Sequence, residues 1–378
     1  MKIAYFSNFL NHHQFPVAKH LSSLSGGNYV FIEDYEIPNE YKCNGYPSYD
    51  GTPWLIQAWK SEELRQKAYE KFIEADIAIF GGAYPYKWIK ERLELNRITF
   101  EYGERWLKRG LINVFSPRLL KNQWYYHLHF RNRPLYRLNS GAYASSDMHI
   151  LHTFKGKCFK WGYFTDSPDL EKAINGRTQQ TEAFRIIWCA RFIKLKHPEI
   201  PVLLAEKLKS QGLEFKLDMY GSGPLSDKTK KLIASKDLEN EVILKGTLPN
   251  ENLMDEFFKS NLFLLTSDRH EGWGAVINEA MSRGCPVVTS KEVGAAPWLI
   301  EEGINGFTFH CHDIESLTDK VASLIKNKEN TKKMGLAAYH KIHSEWSPEN
   351  AAKRFIKLCE ALKSGKPTPF TSGPCSED

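Results

Sequence analysis

Two series of short apolar runs, each alternating with amphipathic segments, constrain the fold of this chain more than any other feature. The first series has strand-like runs at residues 2–7, 29–33, 76–80 and 98–102, with helix-like patterns at 15–25 and 61–74. The second series starts at residue 184 and again alternates strand-like runs with helix-like patterns. Such alternation is typical of parallel sheets covered by helices. We therefore predict an α/β protein with two Rossmann-like domains.

The length of 378 residues agrees with two domains, because a domain has roughly 150 residues. Residues 166–182 are polar and contain Pro, Gly and Asn, and we predict that they form a linker. An N-terminal domain would then occupy residues 1–165 and a C-terminal domain residues 183–346. Residues 364–378 contain three Pro and two Gly, and we expect a flexible tail there.

Several classes of protein are excluded by the sequence. No apolar run reaches the roughly 18–20 residues that a membrane-spanning helix needs. The N-terminal residues turn polar at Ser7 and Asn8, so we expect no secretory signal peptide. The seven cysteines are odd in number and form no C-x-x-C pair, which favours reduced thiols in a cytoplasmic protein.

The most informative segment, residues 267–288, combines a Gly-rich turn with a helix and a following strand. The glycines allow a ligand to approach the backbone, and the start of the helix offers free N–H groups to an anion. Glu271 precedes this helix and Glu279 lies two turns inside it. One carboxylate can therefore face a ligand near the turn while the other reaches a hydroxyl-bearing group. Taken singly, each glutamate also has an ordinary explanation as a helix residue.

The pattern E-G-x-G-x-x-x-x-E-A-M, followed by G-x-P-V-V, resembles the signature of retaining glycosyltransferases of family 4. This family, the glycosyl transferases group 1, has the GT-B fold. Other segments resemble family motifs in the family's order, at residues 188–196, 220–224, 244–248, 293–296 and 305–307. The resemblance implies two Rossmann-like domains that face each other across a cleft. It also implies that the helix at 348–362 packs back onto the N-terminal domain.

The resemblance implies roles for individual residues. Arg191 and Lys196 would bind the diphosphate of a sugar nucleotide, where negative charge grows as the glycosidic bond breaks. Glu279 would accept hydrogen bonds from the ribose hydroxyls, and Glu271 would hold the donor sugar. The other implied donor contacts are Gly221, Ser222, Leu248 and the backbone of Gly272, Trp273, Gly274, Ala275 and Val276.

The N-terminal half would receive the acceptor, by the same resemblance. The loop after the first strand contains His12 and His13, and it should lie where the carboxyl ends of parallel strands meet a ligand. We take His13 from this pair as a candidate contact to the reacting sugar. Glu104, with Glu101 as the alternative, follows another strand at the same edge. Each of these residues also has a structural explanation as an ordinary loop or core residue.

Residues 105–146 contain eight Lys and Arg and no acidic residue, which exceeds the net charge of +6 of the whole chain. Aromatic residues are interleaved with these cations. The combination suits an anionic membrane surface, where each cation contributes about 1 kcal/mol. It also suits a folded insertion with an aromatic core, or nucleic acid, although no nucleic-acid-binding motif accompanies it. We favour a membrane surface or a lipid-linked acceptor.

Two further patterns resemble cofactor sites, but their context differs. The G-S-G-P turn at 221–224 lacks the third glycine of a dinucleotide fingerprint and follows the second strand of its domain. The His pairs at 12–13 and 127–129 have no carboxylate or Cys beside them in the sequence, and no D-x-D motif occurs. We therefore expect no metal and no cofactor besides the sugar nucleotide.

The sequence thus predicts a retaining, metal-independent glycosyltransferase that moves a sugar from a nucleotide diphosphate to an acceptor hydroxyl. The expected acceptor is a membrane-associated, lipid-linked glycan in cell-surface polysaccharide synthesis. The expected location is the cytoplasm or the inner face of the membrane. Two alternatives stay open: another GT-B enzyme, such as a nucleotide-sugar epimerase or a phosphorylase, and a non-catalytic relative that binds glycan or acts as a scaffold.

Overall fold

The computed structural model describes residues 1–39, 47–177 and 183–378, and its contacts divide the chain into two compact units. Unit 1 contains Met1–Thr165 and Trp346–Asp378, and unit 2 contains Asp166–Glu345. Each unit is built on one sheet of parallel strands. The predicted α/β class with parallel sheets is therefore confirmed.

The sheet of unit 1 has seven strands in the order β3-β2-β1-β4-β5-β6-β7. The strands are β1 (Ile3–Ser7), β2 (Tyr29–Glu33), β3 (Leu55–Gln57), β4 (Ile77–Gly81), β5 (Ile98–Gly103), β6 (Leu135–Ser140) and β7 (Cys158–Trp161). The helices that accompany them are α1 (Phe15–Leu24), α2 (Glu62–Glu74), α3 (Tyr86–Glu94), α4 (Pro117–Asn122) and α5 (Ala144–Ile150).

The central strands of unit 1 are buried along their whole length. Every residue of β1, with the sequence IAYFS, and of β4, with the sequence IAIFG, is buried. The two strands pair in register from Ile3 opposite Ile77 to Ser7 opposite Gly81. Continuous apolar runs of this kind are typical of parallel strands covered on both faces.

The sheet of unit 2 has six strands in the order β10-β9-β8-β11-β12-β13. The strands are β8 (Phe184–Cys189), β9 (Phe215–Tyr220), β10 (Val242–Gly246), β11 (Leu262–Leu265), β12 (Val287–Ser290) and β13 (Gly306–Phe309). The helices are α6 (Leu170–Arg177), α7 (Glu199–Ser210), α8 (Ser226–Ala234), α9 (Asn250–Lys259), α10 (Val276–Met281), α11 (Ala296–Leu299), α12 (Ile314–Lys326) and α13 (Lys328–His340). Helix α6 lies within the segment for which we predicted a linker.

The last helix, α14 (Pro348–Lys363), belongs to unit 1 and packs against α1. Phe355 on this helix meets Phe100 of β5 and Trp161 of β7, with ring centroids 5.3 and 5.7 Å apart. Its sequence favours this start, because the hydroxyl of Ser347 accepts the N–H of Asn350 and caps the helix.

The tail after α14 differs from the flexible segment that we predicted. Lys160 in β7 exchanges two backbone hydrogen bonds with it, receiving one from Cys375 (2.7 Å) and giving one to the Ser376 carbonyl (2.9 Å). The Cys375 and Ser376 residues are buried. The tail therefore pairs with the edge of the sheet, and these contacts outweigh the effect of its Pro and Gly residues.

Among the described residues, no helix combines the length and the apolarity required to cross a bilayer. The strand-like runs of the sequence correspond to β1, β2, β4 and β5 in unit 1 and to β8–β12 in unit 2. Strands β3, β6, β7 and β13 are additional to the sequence prediction.

Candidate functional site

In unit 2, the loop after β8 carries the two cations for which a diphosphate role was predicted. Arg191 is exposed, whereas only 14% of the Lys196 side chain is exposed. The loop is fixed by its neighbour, the turn after β9: the Phe192 N–H donates to the Ser222 carbonyl (2.9 Å), and the Leu225 N–H donates to the Phe192 carbonyl (3.0 Å). These bonds hold the backbone between the two cations in one conformation.

The turn after β9 needs its two glycines, because it lies directly on the loop after β8. Gly221 has φ +124°, and a Cβ there would overlap the Ala190 carbonyl oxygen. Gly223 has φ +157°, and a Cβ there would lie 2.6 Å from the Phe192 carbonyl oxygen. The G-x-G-P sequence is thus explained by the close approach of two backbones.

Lys196 forms an ion pair with Glu271, which lies in the turn before α10. A buried chain of hydrogen bonds runs beneath this pair: the Trp188 indole N–H donates to the Thr266 hydroxyl (2.9 Å), which donates to the Lys196 carbonyl (2.7 Å). The loops after β8 and β11 are therefore tied together at their base. The structure brings these two predicted site residues into contact.

The Gly-rich turn, residues 272–276, is tightly packed. Gly274 has φ +90°, and a Cβ there would lie 2.7 Å from Cγ1 of Val293. The Trp273 side chain is fully buried and donates from its indole N–H to Oδ1 of Asn278 (2.8 Å). Its side chain therefore belongs to the core, and only its backbone lies in the turn for which we predicted a donor contact.

Glu279 lies in the first turn of α10, not two turns inside the helix as predicted, and it is buried, with only 7% of the residue exposed. Burial raises the pKa of its carboxyl to about 7, and the nearby charge of Arg283 opposes the rise. A carboxylate in such surroundings gains from any hydroxyl that donates to it. Glu279 is thus suited to accept hydrogen bonds from a sugar or a ribose.

The remaining predicted donor contacts lie on the next loops of the same sheet. Ser222 is exposed in the turn after β9, and Leu248 is 37% exposed after β10. All the predicted donor-binding residues of unit 2 thus follow the carboxyl ends of strands or begin the helix after one. The strand order reverses between β8 and β11, and the 191–196 loop and the Glu271 turn border this switch point. Ligands of open parallel sheets bind in this crevice.

In unit 1, Tyr163 contacts two of the predicted residues, Glu104 and His13. The sequence analysis did not identify Tyr163. The Tyr163 hydroxyl donates to Oε1 of Glu104 (3.0 Å), and the Tyr163 ring stacks on His13 with centroids 5.4 Å apart. Lys108 also pairs with Glu104. Burial lowers the pKa of His13 to about 3, with a further contribution from His12. His13 is therefore a neutral imidazole at physiological pH.

Glu101, the alternative to Glu104, has a structural role instead. Its carboxylate accepts a hydrogen bond from Nη1 of Arg137 (2.6 Å), and both residues are buried. Burial raises the pKa of Glu101, and the charge of Arg137 opposes the rise. Loss of either partner would leave an unpaired buried charge, so the two residues act together as part of the core of unit 1.

The basic and aromatic segment at 105–146 separates into a packed part and an exposed part. Arg105 bonds Asp147 (2.9 Å), and the Arg137 guanidinium lies over the Trp106 ring, 4.9 Å from its centroid. Between residues 109 and 133, large apolar side chains and cations are both exposed. The exposed apolar residues are Leu111, Ile112, Phe115, Leu120, Trp124 and Leu128, and the exposed cations are Arg109, Arg118, Lys121, Arg131 and Arg133. We call these eleven residues the basic apolar patch.

Comparison with known proteins agrees with this architecture. The chain is similar to a solved structure of Anabaena Alr3699/HepE in complex with UDP, with a TM-score of 0.71, 15% identity, and 96% of this chain and 100% of that chain covered. The likeness extends over both units and shows the fold, which is the predicted GT-B fold.

Residues 171–341 match the family model of the glycosyl transferases group 1. The chain is 33% identical over 170 residues to a poly(glycerol-phosphate) alpha-glucosyltransferase of Bacillus subtilis, covering 45% of this chain and 25% of that protein. It is 29% identical over 171 residues to a poly(ribitol-phosphate) alpha-N-acetylglucosaminyltransferase of Staphylococcus aureus, covering 45% and 34%. The matched region therefore spans about a quarter of the first relative and about a third of the second.

Proposed function

We propose that this chain is a retaining glycosyltransferase that moves a sugar from a nucleotide diphosphate to an acceptor hydroxyl. The proposal rests on the ion pair between Lys196 and Glu271, which joins the loop at 191–196 to the turn before α10 at the switch point of the unit 2 sheet. Arg191 and Lys196 provide two cations beside the turn that contains Gly221 and Gly223, and this arrangement suits a diphosphate. The match of residues 171–341 to the family model favours a diphosphate that carries a sugar.

The chemistry follows from the placement of the charges. As the bond to the anomeric carbon breaks, the leaving diphosphate gains negative charge, which Arg191 and Lys196 would stabilise. The acceptor hydroxyl would attack from the face that the diphosphate leaves and pass its proton to the departing oxygen. This step needs no protein nucleophile and no metal ion. Glu279 would bind the ribose, and Glu271 with the backbone of residues 272–276 would hold the sugar and the phosphates.

Unit 1 would supply the acceptor side. Glu104 is held by the Tyr163 hydroxyl and Lys108, and Tyr163 also supports His13. A neutral imidazole can donate to or accept from a sugar hydroxyl without adding charge. We propose that Glu104 and His13 contact the reacting sugar or the acceptor hydroxyl, with Tyr163 and Lys108 positioning Glu104.

For the acceptor, we propose a membrane-associated, lipid-linked glycan of a cell-surface polymer, reached from the inner face of the membrane. The basic apolar patch supports this proposal, because apolar side chains enter the headgroup region while nearby cations attract anionic lipids. The names of the two relatives also refer to glycosylated polymers, poly(glycerol-phosphate) and poly(ribitol-phosphate).

A ligand screen by thermal shift tests the donor site, since a bound ligand stabilises by RT ln(1 + [L]/Kd). Nucleoside diphosphates and their sugars should raise the melting temperature of the wild-type chain. Arg191→Ala, Lys196→Ala and Glu279→Ala should each weaken this shift. Lys194→Ala is the matched control, because Lys194 is an exposed cation of the same loop. A chain that binds no nucleotide would favour the non-catalytic alternative.

The reaction itself is tested with the donor that the screen identifies. Product formation should require an acceptor, and the anomeric configuration of the product, determined by NMR, should equal that of the donor. A reaction without an acceptor would favour an epimerase, and a requirement for inorganic phosphate would favour a phosphorylase. Unchanged turnover in all three site variants would contradict the assignment of the site.

Flotation with liposomes tests the membrane proposal. The wild-type chain should float with vesicles that contain phosphatidylglycerol and less with neutral vesicles or at high salt. Ile112→Ser with Phe115→Ser should reduce flotation. The matched control is Ile304→Ser with Leu336→Ser, because these residues are exposed apolar side chains of unit 2. Equal flotation of both double variants, or none by the wild type, would contradict the proposal.

A further inference from the structure

His197, Cys311 and His312 bring three metal-ligating side chains together in unit 2. One ligand atom from each residue lies within 4.8 Å of the others. The imidazole rings of His197 and His312 meet edge to face, with centroids 4.6 Å apart. None of the three has a part in the proposed transfer reaction.

The loops that carry these residues are fixed at both ends. Cys311 and His312 lie in the short loop between β13 and α12, and the Asp313 side chain caps that helix. His197 has φ +50°, and its carbonyl accepts the N–H of Ile200 at the start of α7 (3.0 Å). The loop conformations that bring the three side chains together are thus set by neighbouring elements.

Two carboxylates complete the surroundings of His197. Its Nδ1 lies 2.9 Å from Oε1 of Glu199, and its Nε2 lies 3.1 Å from Oδ2 of Asp268. Both distances are those of hydrogen bonds, which hold the imidazole ring in its orientation. Glu199 occupies the place of the carboxylate that orients a metal-bound imidazole through its other nitrogen.

The electrostatic surroundings favour a cation. Glu292 accepts the backbone N–H of Cys311 (3.2 Å). The carboxylates of Glu199 and Asp268 contact His197, and the carboxylate of Glu292 contacts the backbone of Cys311. A divalent cation would reduce this excess of negative charge.

We propose that His197, Cys311 and His312 bind a zinc-class divalent ion, with a water molecule in the fourth position. A thiolate and two imidazoles are ligands that zinc accepts in tetrahedral sites. Binding forms the bond from Sγ to the metal and releases the thiol proton to solvent. The ion would join the β13–α12 loop to the loop after β8. It is a structural ion and takes no part in the transfer step.

Cobalt binding tests the site on the full-length chain, after the protein has been treated with a chelator and returned to metal-free buffer. The wild type should bind one equivalent of Co²⁺ with the visible bands of a tetrahedral ion and the near-ultraviolet band of a thiolate–cobalt bond. Zn²⁺ should displace the cobalt. Cys311→Ser should abolish the thiolate band and weaken binding at least about tenfold, since even loss of an outer partner costs 10–100-fold.

His312→Ala should weaken cobalt binding to a similar extent while the thiolate band remains at saturating metal. His340→Ala is the matched control, because His340 is an exposed histidine of unit 2 outside the cluster. Circular dichroism without metal shows whether each variant is folded. A thiolate band that persists in Cys311→Ser, weak binding without tetrahedral bands, or equal losses in the His340 control would overturn the proposal. The spectrum is independent of nucleotide binding, so failure of the proposed function is a separate outcome.

Discussion

Lys196 and Glu271 form an ion pair, although 75 residues separate them in the sequence. They belong to the loops after β8 and β11, which are neighbours in the sheet. The pair has a direct consequence for the proposed function, because the carboxylate of Glu271 and a diphosphate would compete for the same ammonium group. The two residues should therefore respond to substitution in opposite directions.

We expect Lys196→Ala to weaken binding of UDP by about 1.5–3 kcal/mol, the usual contribution of a hydrogen bond to a charged group. Glu271→Gln should bind UDP at least as tightly as the wild type, because Lys196 is released from its partner. Turnover of the sugar nucleotide should nevertheless fall in Glu271→Gln, since its contact to the donor sugar is weakened. Calorimetry with UDP and kinetics with UDP-glucose, or with the donor that the screen identifies, measure the two effects.

Lys207→Ala is a suitable control, because Lys207 forms an exposed ion pair with Glu315 on α7 and α12. Its loss should leave UDP binding unchanged, as expected for a surface ion pair. If Glu271→Gln weakened UDP binding as much as Lys196→Ala does, competition for the ammonium group would be refuted.

The raised pKa of Glu279 predicts a pH dependence of donor binding. Burial raises this pKa to about 7, whereas ribose hydroxyls that donate to the carboxylate favour its charged form and lower the pKa in the complex. The complex therefore holds fewer protons than the free protein, and affinity should fall as the pH drops below 7, by up to about tenfold per pH unit. UDP-glucose is the appropriate probe, because its diphosphate does not titrate in this range.

Glu279→Gln removes the titrating group and should make the affinity for UDP-glucose nearly constant between pH 5.5 and 8, a range of about one unit or more on each side of the pKa. Calorimetry across this range measures both proteins. A pH dependence that remains the same in Glu279→Gln would show that another group is responsible.

The turn after β9 predicts a difference between two glycine substitutions. Gly221→Ala should destabilise the chain by about 3 kcal/mol, because φ is +124° and the added methyl group would overlap the Ala190 carbonyl. Gly212→Ala has only an unfavourable φ of +69°, with no atom within 4 Å of the new Cβ, and should cost about 1 kcal/mol. Urea unfolding measures both. Only Gly221→Ala should also weaken nucleotide binding, and equal effects would argue against the close packing of these loops.

The sequence analysis predicts the strands in which apolar residues predominate. It misses strand β6, because three of the six residues in its sequence LYRLNS (Arg137, Asn139 and Ser140) are polar residues that become buried. Arg137 is buried by pairing with Glu101, and Asn139 is buried while donating to Asp378 (2.7 Å). Such pairing depends on tertiary contacts and leaves no apolar pattern. The prediction of a flexible tail is wrong for the same reason, since backbone hydrogen bonds to Lys160 hold the tail and leave no apolar pattern in its sequence.

The candidate site of unit 2 could be predicted because family motifs mark each loop, whereas contacts between loops could not. The ion pair of Lys196 follows from the order of the strands, which the motifs do not specify. The H-C-H run at 310–312 is visible in the sequence, but its partner His197 lies on another loop. Tyr163 was missed because it follows β7, a strand that the sequence analysis did not recognise.

Tyr163 provides the last prediction, since its hydroxyl positions Glu104 (3.0 Å) while its ring stacks on His13. Tyr163→Phe keeps the ring and removes the bond to the carboxylate. We expect kcat to fall about tenfold, the effect of losing roughly 1.5 kcal/mol at a charged acceptor, with nucleotide affinity unchanged because the donor-binding residues lie in unit 2. The matched control is Tyr84→Phe, which removes a longer bond (3.3 Å) to Glu101, the carboxylate that Arg137 already holds. This control should affect stability more than kcat. Equal kcat values in wild type and Tyr163→Phe would mean that Glu104 needs no positioning by Tyr163.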